Sequence, residues 1–170
     1  MCFDSTDLDW CPEVGRSDVL KGGQTKVLSP GHTNPWYALL GSWVYPQGSG
    51  CYTIHERKRH QEVQAHLEHL LNSEPDTFWL VVMDNASAHT TPKLTAFWQR
   101  HRDRLSRVSL PTYSPHLNLI ERLWRVMRGQ RLKNQFYPSL KDLAEAVVQW
   151  FETLPINQFC SLMGIHEGST

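Results

Sequence analysis

The segment "TFWLVVMD", residues 77–84, constrains the fold of this chain more than any other feature. Six apolar residues, Phe78–Met83, run without a break and end abruptly at Asp84. A continuous apolar run of this length is typical of a central strand that is covered on both sides. Ligands of α/β sheets bind where such strands end, which makes Asp84 a candidate site residue. The alternative is that Asp84 only caps the turn before the next helix.

The residues before and after this strand predict the other elements of an α/β domain. "MCFD" is a very short first strand, and "GHTNPWYALLGSWVYPQGSGCYTIHE" is a hairpin that turns at "PQGSG". Helical spacing of apolar residues follows over 57–72 and over 91–105, and "RVSLP" is a short strand. An antiparallel hairpin followed by helical crossovers defines a mixed sheet flanked by helices.

Two more helices are predicted in the C-terminal third. One passes through Ile120, Leu123, Trp124 and Met127, and the other starts at Ser139, which fits a capping box with Asp142. This last helix continues to about Leu154, before Pro155. Residues 1–155 are therefore expected to form one domain, and residues 156–170 an irregular tail.

Charge is unevenly distributed, although the formal net charge is zero. Residues 1–92 hold eleven acids and six Lys or Arg, whereas residues 93–170 hold eleven Lys or Arg and six acids. A basic face suits a polyanion such as nucleic acid, but a solvated helical surface explains the same pattern.

No apolar stretch is long enough for a membrane span, and the start "MCFDSTDLDW" lacks the charged-then-apolar pattern of a secretion signal. The four cysteines are scattered without a CxxC pair and fit reduced thiols. We therefore expect a cytoplasmic chain without a membrane partner.

The stretch "LPTYSPHLNLIERLW", residues 110–124, contains a single acid, Glu121. Asn118 and Glu121 stand three residues apart before an amphipathic pattern, so they fit a variant capping box. With Asp84 and an aspartate from the N-terminal stretch, Glu121 would instead complete a cluster of three carboxylates. Such clusters suit hard cations such as Mg²⁺, and two ions about 4 Å apart promote phosphodiester cleavage.

A competing metal site is suggested by "CYTIHERKRHQEVQAHLEH", which contains Cys51, His55, His60, His66 and His69. Cysteine and histidine are the usual ligands of zinc. The spacing matches no known zinc finger, and most of these histidines fall on the polar face of a predicted helix. The pattern therefore favours carboxylate chemistry over zinc.

The segments "VVMDNASAHTT" and "LPTYSPHLNLIERLWRVMR" together resemble the catalytic domain of bacterial insertion-sequence transposases related to the mariner superfamily. These proteins are DDE endonucleases with a ribonuclease-H-like fold. The two motifs are specific in combination, with 36 residues between Asp84 and Glu121. Weaker similarity extends through "DSTDLDWCPEVG", "GGQTKVLSPG" and "WYALLGSWVYPQGSG", so the resemblance covers Asp4 to about Leu154.

The resemblance implies three catalytic and metal-binding acids. The family's second aspartate matches Asp84, its final glutamate matches Glu121, and its first aspartate matches Asp4 best, with Asp7 as second choice. In the family these carboxylates bind Mg²⁺, which Mn²⁺ can replace, and we expect two ions. A metal-activated water cuts DNA at the ends of the element, and the released 3′ hydroxyl then attacks target DNA.

Further residues are expected to support these acids. Asn85, His89 and Asn118 are candidates to orient carboxylates or phosphate, although an isolated histidine is more typical of a structural hydrogen bond. Basic residues on the later helices are candidates for salt-sensitive contacts with the DNA backbone, namely Lys93, Arg122, Arg125, Arg128 and Lys133.

The sequence also departs from the family. Relatives usually have Glu where Ser5 stands, and often Glu and Pro at the positions of His116 and Leu119. They also carry an N-terminal helix-turn-helix region that recognises terminal repeats, whereas only three residues precede Asp4, so the first strand looks clipped. We therefore expect DNA as partner, a separate helix-turn-helix polypeptide from an upstream frame, a homo-oligomer and a nucleoid-associated location.

Two alternatives to an active transposase remain at this stage. One is a transposase remnant or split-frame product that binds DNA without efficient cleavage. The other is a host nuclease of the ribonuclease-H-like class that acts on a different nucleic acid, against which the segment "SPHLNLIERLW" argues.

Overall fold

A computed structural model of the protein describes residues 1–14, 26, 28, 35–44, 47, 49–111, 114 and 117–162. The strands are β1 (Cys2–Asp9), β2 (Trp36–Trp43), β3 (Gly50–His55), β4 (Trp79–Met83) and β5 (Leu105–Ser109). The helices are α1 (His60–Ser73), α2 (Pro92–Arg100), α3 (Ile120–Arg131), α4 (Leu140–Thr153) and α5 (Ile156–Leu162). Parts of the sequence predictions lie outside the described residues, namely on residues 15–25, 27, 29–34, 45–46, 48, 112–113, 115–116 and 163–170.

The five strands of the described ranges form one sheet in the order β3-β2-β1-β4-β5. β2 pairs antiparallel with β1 and β3, whereas β4 pairs parallel with β1 and β5. The predicted mixed sheet flanked by helices is therefore confirmed, with β1 rather than β4 in its centre. Parallel neighbours need a crossover connection, which α1 and α2 provide.

Helices cover the two faces of the sheet and create two apolar cores. On one face α1 and α2 pack against the side of the sheet that includes Phe3, Leu40 and Val81. On the other face α3, α4 and α5 pack against a side that includes Leu39 and Trp43. This two-sided cover buries five of the eight residues of β1 and explains why it is the centre of the fold.

The cover is incomplete over β4, which corrects the prediction that this strand is buried on both sides. Trp79, Val81 and Met83 are buried under α1 and α2, but Leu80 is 48% exposed on the opposite face. The reason is that α3 and α4 contact β1 and β2 and do not extend over β4. The apolar run thus predicted the strand correctly. Its prediction that both faces of the strand are buried holds for one face only.

The first strand is longer than the predicted "MCFD". β1 continues to Asp9 and pairs with β2 along its whole length, from Cys2 opposite Trp43 to Asp9 opposite Trp36. The sequence did not indicate this continuation, because most of its residues are polar. In the structure, buried Thr6 and Leu8 alternate with half-buried Ser5 and Asp7. Alternation of this kind is typical of a strand with one well-covered face.

Two other boundaries differ from the sequence prediction. Helix α2 ends at Arg100, so Leu105 belongs to β5, where it pairs with Trp79. The predicted irregular tail is wrong for Ile156–Leu162, which form α5. This short helix is held by Phe159, whose buried ring stacks on Trp43 at 5.4 Å between ring centroids. The start of α4 is confirmed, since the Ser139 hydroxyl accepts from the backbone N–H of Asp142 at 3.2 Å.

None of the helices in the described ranges has the length and apolar character needed to cross a membrane. The four cysteines all lie in the described part of the chain, and no disulfide joins them.

Gly41 on β2 is predicted to be indispensable for the packing over the sheet. A Cβ atom at this position would lie 2.3 Å from Cζ3 of Trp43 and 2.6 Å from Cη2 of Trp124. Because both rings are buried, we expect Gly41→Ala to lower the free energy of unfolding by about 2 kcal/mol, measured by urea denaturation. Gly129→Ala is the control, because nothing lies within 4 Å of its added Cβ and alanine favours a helix. Equal stability of the two variants would contradict this account.

Candidate active site

Two of the candidate acids are brought together by the pairing of β1 with β4. The strands are parallel with Cys2 opposite Val82, so Asp4 and Asp84 each follow two residues further along. Asp84 stands directly after the last residue of β4. The two acids therefore lie beside each other on neighbouring strands, with Asp4 inside β1 and Asp84 at the carboxyl end of β4, where ligands bind in α/β folds.

Glu121 joins this pair from the first turn of α3. Its negative charge acts on Asp4 together with that of Asp84. Helix α3 packs along β1, which brings a residue far away in the sequence next to Asp4. All three acids that the resemblance implied are thus electrostatic neighbours.

Asp4 is the most perturbed of the three acids. The pKa of Asp4 is raised to about 7, mainly by burial, which leaves 7% of the residue exposed. The charges of Glu121 and Asp84 act in the same direction, and a backbone hydrogen bond from Ser5 opposes them. Negative charge is therefore concentrated around Asp4, and no positively charged side chain of the described residues forms an ion pair with it.

Asp84 has a different environment, because its carboxylate accepts two hydrogen bonds. Nδ1 of His89 donates to Oδ1 of Asp84 at 2.7 Å, and the backbone N–H of Ala86 donates to the same oxygen at 3.0 Å. The bond from His89 is the main cause that lowers the pKa of Asp84, and burial opposes it. Asp84 is thereby held in its ionised form, and both donors reach the same oxygen, Oδ1.

His89 itself is fixed from several sides. It is only 2% exposed, its ring meets Phe3 edge to face at 5.3 Å, and its carbonyl oxygen accepts from Nη1 of Arg107 at 2.8 Å. These contacts set the orientation in which Nδ1 reaches Asp84. The structure therefore gives His89 the geometry expected of a residue that orients a carboxylate.

The two asparagines connect the site to the sheet. Nδ2 of Asn85 donates to the carbonyl of Leu110 at 2.8 Å, which joins the ends of β4 and β5. Nδ2 of buried Asn118 donates to the carbonyl of Phe3 at 3.1 Å, next to Asp4. Asn118 therefore does not cap α3 through its side chain, and the predicted variant capping box with Glu121 is wrong.

Asp7, the second choice for the first acid, lies on the other face of β1. Its carboxylate forms an ion pair with Lys58, with 3.6 Å between Nζ and Oδ1. Asp4 and Thr6 share the face that α3 covers, as their contacts with Trp124 and Arg128 show. This geometry favours Asp4 as the partner of Glu121.

Lys58 is a residue of the site that the sequence analysis missed. Its ammonium group donates to the carbonyl of Ser5 at 3.2 Å and contributes to the lowered pKa of Asp84. It therefore places a positive charge beside the acids. The run "ERKR" gave no sign of this position, because a basic run before a helix is usually a solvated surface.

The basic residues suggested for DNA contact fall into two groups. Lys93, Arg122, Arg125 and Lys133 are exposed on α2, on α3 and just after α3. Arg128 is engaged inside the protein: Nη1 donates to Thr6 Oγ1 at 2.7 Å and to the carbonyl of Asp7 at 2.9 Å. Its Nη2 also forms an ion pair with Glu13. Arg128 thus has a structural role that joins α3 to β1.

The three acids suit a divalent cation such as Mg²⁺ by the chemistry of their ligand atoms, although they do not surround a common point. Carboxylate oxygens are the ligands that hard cations prefer, and uncompensated negative charge at Asp4 favours binding of a cation. The acids do not form a closed coordination shell: within the described residues, no three acids, histidines or cysteines lie close enough together to enclose an ion. Asp4, Glu121 and Oδ2 of Asp84 are the groups that would hold it.

The competing zinc hypothesis is not supported. His66 is fully buried, and its two ring nitrogens hydrogen-bond to the hydroxyls of Ser42 and Thr53, both at 2.8 Å. Burial lowers the pKa of His66 to about 3 and raises the pKa of the Cys51 thiol to about 11. His66 therefore joins α1 to β2 and β3 as a neutral side chain, and a protonated thiol is a poor zinc ligand.

The mixed five-stranded sheet with flanking helices has the ribonuclease-H-like architecture that the sequence predicted. Residues 1–144 match the family model described as DDE superfamily endonuclease. The chain therefore belongs to the DDE superfamily endonuclease family, as its motifs predicted.

Relatives of this chain include proteins of mobile elements. It is 26% identical over 153 residues to the 39 kDa protein of insertion element IS630 from Shigella sonnei, covering 89% of this chain and 44% of that protein. It is also 30% identical over 81 residues to the Tc3 transposase of Caenorhabditis elegans, covering 47% and 24% of the two chains.

Solved structures confirm the ribonuclease-H-like fold. The Mos1 transposase paired-end complex with left transposon end matches with a TM-score of 0.74 and 19% identity over 96% of this chain and 50% of that one. The Mos1 mariner paired-end complex with Mn matches with a TM-score of 0.72 and 17% identity over 96% and 51%. This chain thus spans about half the length of these relatives.

Removal of the Asp4 charge is expected to stabilise the metal-free protein. The pKa of Asp4 is raised from 3.8 to about 7, so its contribution to stability is present below pH 4 and is lost as the pH rises to about 7. We expect Asp4→Asn to raise the free energy of unfolding on the order of 2 kcal/mol at pH 8 and to change it little at pH 4. Urea denaturation at both pH values measures this difference. Asp103→Asn, at an exposed acid, is the control, and a loss of stability at pH 8 in Asp4→Asn would refute the assignment.

Acid conditions are expected to destabilise the protein through His66. Its pKa falls from 6.5 to about 3 on folding, so its contribution to stability is present above pH 6.5 and is lost as the pH falls. The loss approaches about 1.4 kcal/mol per pH unit well below pH 6.5, where the unfolded imidazole is fully protonated. The His66→Gln variant keeps a hydrogen-bonding side chain without this titration, so the difference from the parent protein shrinks as the pH falls. The exposed His69→Gln is the control, and parallel pH profiles for parent and His66→Gln would contradict the role.

Proposed function

We propose that this chain is the catalytic domain of a transposase that cleaves DNA at the ends of an insertion sequence and joins it to target DNA. Asp4, Asp84 and Glu121 are the proposed catalytic residues and metal ligands. The observation that carries the proposal is that Asp84, from the end of β4, and Glu121, from α3, are both electrostatic neighbours of buried Asp4 on β1. Membership of the endonuclease family supports the same conclusion.

A divalent cation is the proposed cofactor, Mg²⁺ with Mn²⁺ as substitute, and two ions are expected. Bound between the acids, it would supply charge neutralisation at the scissile phosphate and a lowered pKa for the attacking water. Structural neighbours of this chain include Mos1 paired-end complexes with Mg and with Mn, which supports this choice.

Different residues of this chain hold the proposed metal ligands in place. His89 and the N–H of Ala86 fix one oxygen of Asp84 and leave the other for a ligand. Asn118 ties the start of α3 to β1, so Glu121 stays beside Asp4. Lys58 supplies a fixed positive charge next to the acids, where a DNA phosphate would need neutralisation.

DNA is the proposed partner, both as transposon end and as target. Exposed basic side chains of α2 and α3 support contact with its backbone, which carries no sequence information. Mos1, whose structure includes a left transposon end, supports the same class of partner. Recognition of terminal repeats by a separate helix-turn-helix polypeptide, assembly of copies of this chain and a nucleoid-associated cytoplasmic location complete the proposal.

Divalent-metal-dependent cleavage of labelled DNA is the direct test. We expect the parent chain to cut with Mg²⁺ or Mn²⁺, and Asp84→Ala and Glu121→Ala each to lose more than about 100-fold in rate, beyond the usual effect of a residue that only orients a ligand. Asp103→Ala and Glu145→Ala remove exposed acids elsewhere and are expected to cut normally.

Three outcomes separate the alternatives. Metal-dependent cleavage that survives both substitutions would exclude these acids from the chemistry. Salt-sensitive DNA binding without cleavage in the parent chain would support the remnant that binds and does not cut. Cleavage restricted to RNA or to RNA–DNA hybrids would support a host nuclease instead.

A further inference from the structure

Trp124 connects the two acids that approach from β1 and α3. Its indole Nε1 donates to Oδ2 of Asp4 at 3.2 Å, and both residues are buried. Trp124 follows Glu121 by three residues, so the two side chains lie on the same face of α3. One helix therefore provides an acid and also the donor that holds a second acid.

The indole ring is fixed by the residues around it. Gly41 lies opposite Asp4 in the sheet, and a Cβ there would lie 2.6 Å from Cη2 of Trp124. The rings of Trp43 and Phe151 meet Trp124 edge to face, at 5.7 and 6.1 Å between centroids. The direction of the N–H group is consequently set by packing, before any substrate or cation is present.

Other tryptophans of the chain show that a buried indole N–H group does not always form a hydrogen bond. The Nε1 atoms of Trp79 and Trp98 are buried without a hydrogen-bond partner in the described structure. Trp150 donates to Oε1 of Gln130 at 2.7 Å, away from the acids. Among these four, Trp124 is the one whose donor meets an acid of the candidate site.

We propose that Trp124 is a positioning residue that fixes the Asp4 carboxylate for cation binding. An ionised Asp4 beside Glu121 and Asp84 is repelled by both, and rotation of its carboxylate would relieve the repulsion. The indole N–H holds Oδ2, so Oδ1 keeps one orientation toward the space between the acids. This inference rests on the proposed function, because it assigns Trp124 a role in the same metal site.

The comparison of Trp124→Phe with Trp150→Phe tests this role. Each variant keeps an aromatic ring and loses one buried N–H···O hydrogen bond, so we expect similar small losses of thermal stability. We expect only Trp124→Phe to need more Mn²⁺, by roughly 10- to 100-fold, for half-maximal thermal stabilisation and for half-maximal DNA cleavage. Saturating Mn²⁺ is expected to restore most of the cleavage rate.

Replacement of Trp124 by 3-benzothienylalanine is the second variant, for the case in which phenylalanine leaves an unstable core. This side chain has the shape of tryptophan with sulfur in place of the N–H group, so it removes the donor and keeps the packing. A raised Mn²⁺ requirement in this protein supports the positioning role. A Mn²⁺ requirement equal to that of the parent would overturn it and leave Trp124 as a core residue.

The same titrations separate failure of this inference from failure of the proposed function. A parent chain that neither is stabilised by Mn²⁺ nor cleaves DNA refutes the metal site, and the role of Trp124 falls with it. A parent chain that responds to Mn²⁺, together with Trp124 variants that respond identically, refutes only the positioning role.

Discussion

The parallel pairing of β1 with β4 is the interaction on which the rest of the site depends. It is short: the N–H of Val82 donates to the carbonyl of Met1 at 2.8 Å, and the terminal amine of Met1 donates to the carbonyl of Leu80 at 2.7 Å. Because side chains alternate along a strand, a slip of one residue would turn one of the two aspartates to the opposite face. The register of these few bonds therefore decides whether Asp4 and Asp84 lie close together. Helix α3 then adds Glu121 to this pair.

The site is organised by hydrogen-bond donors that come from three parts of the fold. His89 approaches Asp84 from the turn after β4, Trp124 approaches Asp4 from α3, and Lys58 approaches the neighbouring backbone from the end of β3. Each donor belongs to an element that is held elsewhere by apolar packing. The acids thus receive fixed orientations from the core, although the cluster of like charges opposes folding when no cation is present.

Local patterns in the sequence predicted which helices and strands form. They predicted less well where these elements end and which of their faces are buried. The apolar run before Asp84 and the helical spacing after Asn118 predicted β4 and α3, because both patterns have a period that belongs to one kind of element. Leu105 continued the helical spacing by coincidence and belongs to β5. The motifs and their resemblance to a family indicated the three acids. Nothing local predicted the bonds from Asn118 to Phe3 or from Trp124 to Asp4, since these partners stand 115 and 120 residues apart.

The attachment of α3 to β1 near both ends of the helix has a consequence for the dimensions of the chain. Asn118 binds the carbonyl of Phe3, and Arg128 binds Thr6 and the carbonyl of Asp7. The eight helical steps from Ile120 to Arg128 rise about 12 Å, and the four strand steps from Phe3 to Asp7 extend about 13 Å. The helix and the strand therefore have similar lengths between the hydrogen bonds that join them. Insertion or deletion of a residue between Asn118 and Arg128 would break this match, so the number of residues in that interval is as much a part of the site as the acids themselves.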